Sequence, residues 1–174
     1  MLLATHGETL QVYYDKDCTK PVPRHEYKEE IKDGLIQKKR VVYLDGPNVY
    51  YCMGAGTVEA KDCEIIADTT FGDIDITLRG SAKCEVKHGS AWVYAYDKSE
   101  LTIREGGEVE AHDNAEVKAY GQVMVIGHDD STLELHDGAF AILNDGCYCE
   151  TGEVIEDNRQ SFNAYREYAT EYRS

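Results

Sequence analysis

The sequence predicts an all-β solenoid, a stack of short parallel strands wound into a flattened coil of about 16 residues. Three observations predict it. From Trp92 the chain divides without a gap into blocks of eight: WVYAYDKS, ELTIREGG, EVEAHDNA, EVKAYGQV, MVIGHDDS, TLELHDGA and FAILNDGC. Positions two and four of each block are apolar or small, from Val93 and Ala95 through Val109 and Ala111 to Ala141 and Leu143, so alternate residues face inward as in a strand. Positions five to seven carry Asp, Asn, Gly, His and Tyr, the residues of tight polar corners. A four-residue strand cannot stand alone; stacked units bury one continuous core. Helical repeats need ~33 residues per unit and propeller blades ~40, so the short period excludes both.

The elements follow in order. Residues 1–40 read as an N-terminal cap or docking element. Leu10, Val12 and Tyr14 alternate as a strand, Pro21 and Pro23 mark a turn, and 26–33 (EYKEEIKD) fits a short helix ended by Gly34. Residues 41–151 read as the solenoid, with about a dozen units. Its first copies are irregular: VVYLDGP and NVYYCMGAG are degenerate, TVEAKDC is one residue short, and 64–74 holds an insertion. DITLRGSA fits and KCEVKHGSA has one residue extra. Residues 152–174 read as a C-terminal capping or dimerisation helix. Asp157 and Gln160 have capping-box spacing, and Phe162, Tyr165, Ala169 and Tyr172 share a face over 158–172.

The outward residues suggest how many units make one coil. In alternate blocks, positions one and three read Trp92, Tyr94, Glu108, Glu110, Met124, Ile126, Phe140 and Ile142, of which six are apolar. The intervening blocks read Glu100, Thr102, Glu116, Lys118, Thr132, Glu134, Tyr148 and Glu150, of which one is apolar. A 16-residue step separates the two sets, which favours a two-sided coil over a three-sided one. The apolar stripe, with Phe162, Tyr165 and Tyr172 of the terminal helix, is the expected interface of a homodimer. Six such side chains amount to several hundred Å2 of apolar surface at ~150–250 Å2 per aromatic, too much to leave in water.

Charge narrows the function. The chain carries 18 Lys/Arg against 33 Asp/Glu, a net charge of −15. The acid is concentrated: residues 41–157 hold 7 basic and 24 acidic side chains, a balance of −17, and each flank is +1. Direct binding to nucleic acid or to an anionic membrane requires the opposite sign. No apolar run reaches the ~20 residues of a membrane span, and the opening MLLATHGETLQ has no export-signal pattern, so the expected location is cytoplasmic. The expected partner is a protein with a basic surface, met by Glu100, Glu108, Glu110, Glu116 and Glu134.

Candidate chemistry is sparse. Of the six cysteines, Cys84, Cys147 and Cys149 fall at inward positions and are expected to be buried, reduced thiols. His112, His128 and His136 share the corner position, each followed by Asp. Asp97, Asp113, Asp129 and Asp145 recur every 16 residues, so a two-sided coil stacks them in a column. An Asx-turn is the ordinary role of such residues; a weak divalent-cation site is the alternative. There is no GxSxG, no Cys/His motif and no phosphate loop, so neither catalytic residues nor a cofactor are expected.

With phrases such as VEAHDNAEVKAYG, residues 41–150 resemble V-x-A-Y-D/G-x-A repeat segments of uncharacterised bacterial proteins, often associated with phages or mobile elements. The resemblance implies a β-solenoid and a bacterial or phage context, where the host cytoplasm is the setting; it implies no activity. Three functions fit in descending order. The first is a non-enzymatic acidic interaction protein, acting as a nucleic-acid mimic or inhibitor. The second is an assembly module, either a self-associating rod or a virion component. The third is a carbohydrate-active enzyme or lectin, with Trp92, Tyr94, Tyr96 and Tyr120 as stacking platforms.

Overall fold

A computed structural model describes residues 9–33 and 38–159. The regular elements of these residues are seventeen strands and one 3-10 turn at Arg24–Glu26. The strands are β1 (Gln11–Tyr13), β2 (Lys28–Asp33), β3 (Lys38–Asp45), β4 (Val49–Met53), β5 (Gly56–Lys61), β6 (Glu64–Asp68), β7 (Ile74–Arg79), β8 (Lys83–Val86) and β9 (Ser90–Ala95). They continue as β10 (Glu100–Ile103), β11 (Gly106–Ala111), β12 (Glu116–Tyr120), β13 (Gln122–Gly127), β14 (Thr132–His136), β15 (Phe140–Leu143), β16 (Tyr148–Thr151) and β17 (Glu153–Asp157).

From β3 onward each strand pairs in parallel with the strand two places along the chain, which winds two facing sheets. The even strands form one sheet together with β1, and the odd strands form the other together with β2. In the regular part the step is 16 residues: Val93 pairs with Val109, Val109 with Val125, and Leu101 with Val117. The coil is therefore two-sided. Its fifteen strands, β3 to β17, make about seven coils, more than the dozen units counted from the repeat. Part of the difference lies at the C-terminal end, where β17 extends the ladder to Asp157.

Irregular spacing is absorbed at the corners. Tyr50 pairs with Ile65, fifteen residues on, whereas Ile65 pairs with Cys84, nineteen on. Both ladders keep every inward residue inward, because a one-residue slip inside a strand would turn its apolar set to solvent. The extra residues of 64–74 loop out at 69–73, where Phe71 is exposed, while β6 keeps Ile65 and Ala67 fully buried.

The core lies between the sheets. Val109, Ala111, Val117, Ala119, Leu133 and Leu135 are all buried, as the alternation predicts. Size is matched across the gap. Gly127 follows Ala95 and Ala111 in its row, and a Cβ there would stand 2.2 Å from Cys147 Sγ. At the N-terminal end, Leu10, Val12 and Val22 are buried beside β4, along which β1 runs antiparallel.

One expectation changes. Residues 28–33 are not helical: β2 runs antiparallel along the edge of β3. The helical charge pattern of this segment loses to a strand edge that offers a full row of backbone partners, with Arg40–Glu29 and Tyr43–Glu30 side-chain pairs across it. Asp157 is the last residue of β17, and its carboxylate accepts from the Arg159 backbone N–H and guanidinium, while its expected capping-box partner Gln160 lies outside the described residues. Asn158 N–H donates to Leu143 O at 2.7 Å, as a further corner would. The helix expected over 158–172, with Phe162, Tyr165 and Tyr172, lies almost wholly outside the described residues.

Candidate functional site

The odd-numbered sheet turns two rows of side chains outward. One runs Asp75, Trp92, Glu108, Met124, Phe140; the other runs Thr77, Tyr94, Glu110, Ile126, Ile142. The expected apolar stripe is therefore on one face, but Glu108 and Glu110 cross it as an acidic rung. Trp92 is 56% exposed and Tyr94 37%, whereas Met124, Ile126, Phe140 and Ile142 are half-buried by one another. Trp92, Tyr94, Glu108 and Glu110 line a shallow groove.

The five glutamates expected to form one acidic face do not do so. Glu100, Glu116 and Glu134 project from the even-numbered sheet, on the opposite side from Glu108 and Glu110. There the charges are mixed: Lys83 lies 3.5 Å from Glu100, and Lys118 lies 3.8 Å from Glu134. His136 Nε2, 2.7 Å from Glu134, holds that carboxyl below its ordinary pKa.

The corners leading from the odd to the even sheet carry two columns. In the first, the Arg79 guanidinium covers Tyr96 at 4.6 Å, Tyr96 stacks on His112 at 5.0 Å, and His112 stacks on His128 at 4.5 Å with the rings 1° from parallel. Asn144 continues the column, its Nδ2 lying 3.3 Å from His128 Nδ1. Glu110 reaches in from the neighbouring face. Its Oε1 is 3.0 Å from His112 Nε2 and 3.4 Å from His128 Nε2. The histidine stack was legible in the sequence, but its glutamate was not recognised. The available signal was Glu-x-His, which puts both side chains on the outer face of one strand end and recurs at Glu134-x-His136.

The second column is the aspartates. Asp97, Asp113 and Asp129 have left-handed backbones, with φ of 60°, 56° and 55°. Each carboxylate serves the coil before it. Asp129 Oδ2 accepts from Asp113 N at 3.1 Å, Asp113 Oδ2 from Asp97 N at 3.0 Å, and Asp97 Oδ2 from Gly80 N at 2.7 Å. At the fourth corner the left-handed residue is Gly146 (φ +86°), one place after Asp145. The Asx-turn expected for Asp97, Asp113 and Asp129 is thus corrected. The bonds run between coils rather than within the turn, and the backbone N–H groups offset the like charges of these three carboxylates.

No family model, curated protein or solved structure matches the chain.

All six cysteines are free thiols, and Cys52, Cys63, Cys84 and Cys147 are buried. Burial pushes the Cys52 thiol up to about 12 and Cys63 to about 11, and it raises Cys84 well above its ordinary value. These groups remain protonated at neutral pH, so they are packing residues rather than nucleophiles. No described helix is long and apolar enough to cross a membrane.

Proposed function

We propose that the chain is a non-enzymatic interaction protein that docks a basic protein surface on the outer face of its odd-numbered sheet. The observation that supports this most is the acidic rung Glu108/Glu110 set between Trp92/Tyr94 and Met124/Ile126. An arginine is suited to this arrangement. Its guanidinium forks onto a carboxylate, its plane stacks on an indole, and its stem covers aliphatic neighbours. The −17 balance over 41–157 adds long-range steering toward a positive partner. A nucleic-acid-binding protein is the partner class that this charge imitates best, which makes inhibition by mimicry the expected consequence of docking.

A homodimer through the same face is the second reading, favoured by the exposed Trp92 and the apolar rows below it. It is opposed by charge, because a two-fold axis near the rung sets Glu108 and Glu110 against their own copies.

The test is affinity capture from bacterial lysate, the source that the repeat's phage-like character suggests. Wild type is expected to retain a basic protein at low salt and release it at high salt. Glu108→Lys/Glu110→Lys should lose that protein, and Glu116→Lys on the other sheet should keep it. Absence of any salt-sensitive basic partner, or equal capture by the double variant, rejects the proposal. Sedimentation of wild type against Phe140→Glu addresses the dimer; a monomer in both cases eliminates it.

A further inference from the structure

We infer that Glu110, His112 and His128 form a binding site for one borderline divalent transition-metal ion, for which zinc is the natural probe. The site shares Glu110 with the docking face but is argued from different observations, the two histidines and their spacing. One ligand atom from each residue lies within 4.8 Å of the other two, and among the described residues no other His, Cys or carboxylate group of three does so. Two imidazoles and one carboxylate are the donor set that suits zinc, copper or nickel, rather than the all-oxygen set of calcium or magnesium.

The fold pre-positions these donors. His112 and His128 directly follow Ala111 and Gly127, which are paired across β11 and β13, so the two rings are one strand spacing apart by construction. Both Nε2 atoms face the Glu110 carboxylate. Tetrahedral zinc at ~2.0–2.1 Å from each donor sets ligand atoms about 3.3 Å apart. Starting from at most 4.8 Å, the donors close by about 1.5 Å or less, and the two rings, 1° from parallel in the stack, turn about their side-chain bonds so that one ion lies in both ring planes; side chains move rather than backbone. The three side chains are 36%, 23% and 30% exposed, so an ion can enter and keep water as a fourth ligand.

The outer partners agree. An imidazole that binds metal through Nε2 carries its proton on Nδ1 and donates it to a fixed acceptor. His112 Nδ1 faces Asp129 Oδ2 at 3.6 Å. His128 Nδ1 faces the Asn144 amide at 3.3 Å, and a half-turn of that amide presents its oxygen. Rival pairs fall short: His88 with Glu105, and His136 with Glu134, each bring together only two donors.

The experiment is zinc titration of the full chain after chelator treatment, read by calorimetry and by metal content after dialysis, with cobalt absorption as a report on geometry. One zinc per chain is expected. His112→Tyr and His128→Tyr should each weaken binding at least ~100-fold. Tyrosine already fills this stacking slot at Tyr96, so the column should persist, and circular dichroism without zinc checks that it does. Glu110→Gln should cost ~10-fold or more, and Asp129→Asn should lower affinity by ~10-fold through His112. His136→Tyr should change nothing. No zinc bound by wild type at ~100-fold above micromolar concentration, or one zinc retained by His128→Tyr and Glu110→Gln, overturns the site.

Discussion

Asp113 does two jobs at one corner: it adopts a left-handed backbone, and its carboxylate accepts the Asp97 N–H. Alanine can do neither, because an L-residue with a plain Cβ resists this φ by ~1–2 kcal/mol and leaves the donor to water. Asp113→Ala should therefore lose about 1–3 kcal/mol in urea unfolding. Asp113→Asn, which keeps both the conformation and an acceptor, should lose less than about 1 kcal/mol. An equal loss for both would mean that charge, not geometry, matters. The 16-residue recurrence of aspartate was plain in the sequence, but its partner was not. An Asx-turn and an inter-coil bond use the same residue at the same place and differ only in where the side chain turns. Glu105 shows a related corner, its carboxyl held below the ordinary value by the Gly89 N–H and then by His88. A carboxylate with a depressed folded pKa stabilises above its unfolded pKa, near 4.5, and that contribution is lost as pH falls through the folded value. Glu105→Gln should remove part of the acid-side loss of stability below about pH 4.5 while leaving the alkaline side unchanged.

At the scale of the strand, direction decides everything. Val117 is 1% exposed between Leu101 and Leu133, and its neighbour Glu116 points to water beside Glu100. Val117→Asp puts an unpaired charge in the dry core and should cost about 3–5 kcal/mol, enough to unfold a marginal domain. Glu116→Lys relieves a like-charge pair across the ladder and should stay within ~0.5 kcal/mol of wild type. Comparable losses for the two variants would contradict the register. This alternation made β9 to β15 legible, because every inward residue there is small or apolar. Segment 28–33 was misjudged for the complementary reason. All six residues of β2 are exposed, so burial imposes no period on them and only the free edge of β3 selects a strand. The extent of the ladder was missed at β17, the end strand of its sheet, where Val154 and Ile155 are exposed and a register shift opposite Ala141 and Ile142 breaks the eight-residue pattern.

Over the whole molecule, two sheets imply two outer faces, and the sorting of outward residues already held that information. Glu108 and Glu110 fell in the apolar set, so grouping them with Glu100, Glu116 and Glu134 ignored the fold that the same sorting implied. What sequence could not supply was the neighbour of each rung, since the corners hold insertions that shift the count before Trp92. Charge acts at this scale as well. The 24 acidic residues of 41–157 outnumber its 7 basic ones by 17, and the pairs Lys39–Asp75 and Arg159–Asp157 bring in two cations from outside that range. Several pairs are exposed, such as Lys83–Glu100 and Lys118–Glu134, and surface pairs of this kind contribute little. Net repulsion between stacked coils should therefore outweigh the attraction of the pairs. Because the coils are about one strand spacing apart, the like charges lie well inside the ~10 Å screening length of 0.1 M salt. Raising sodium chloride from about 0.05 to 0.5 M at pH 7 shortens that length and should raise the melting temperature. The same salt step at pH 4, where carboxylates are partly protonated, should raise it less. A melting temperature that falls with salt at pH 7 would show instead that the ion pairs dominate, and it would weaken the case for an acidic surface held ready for a basic partner.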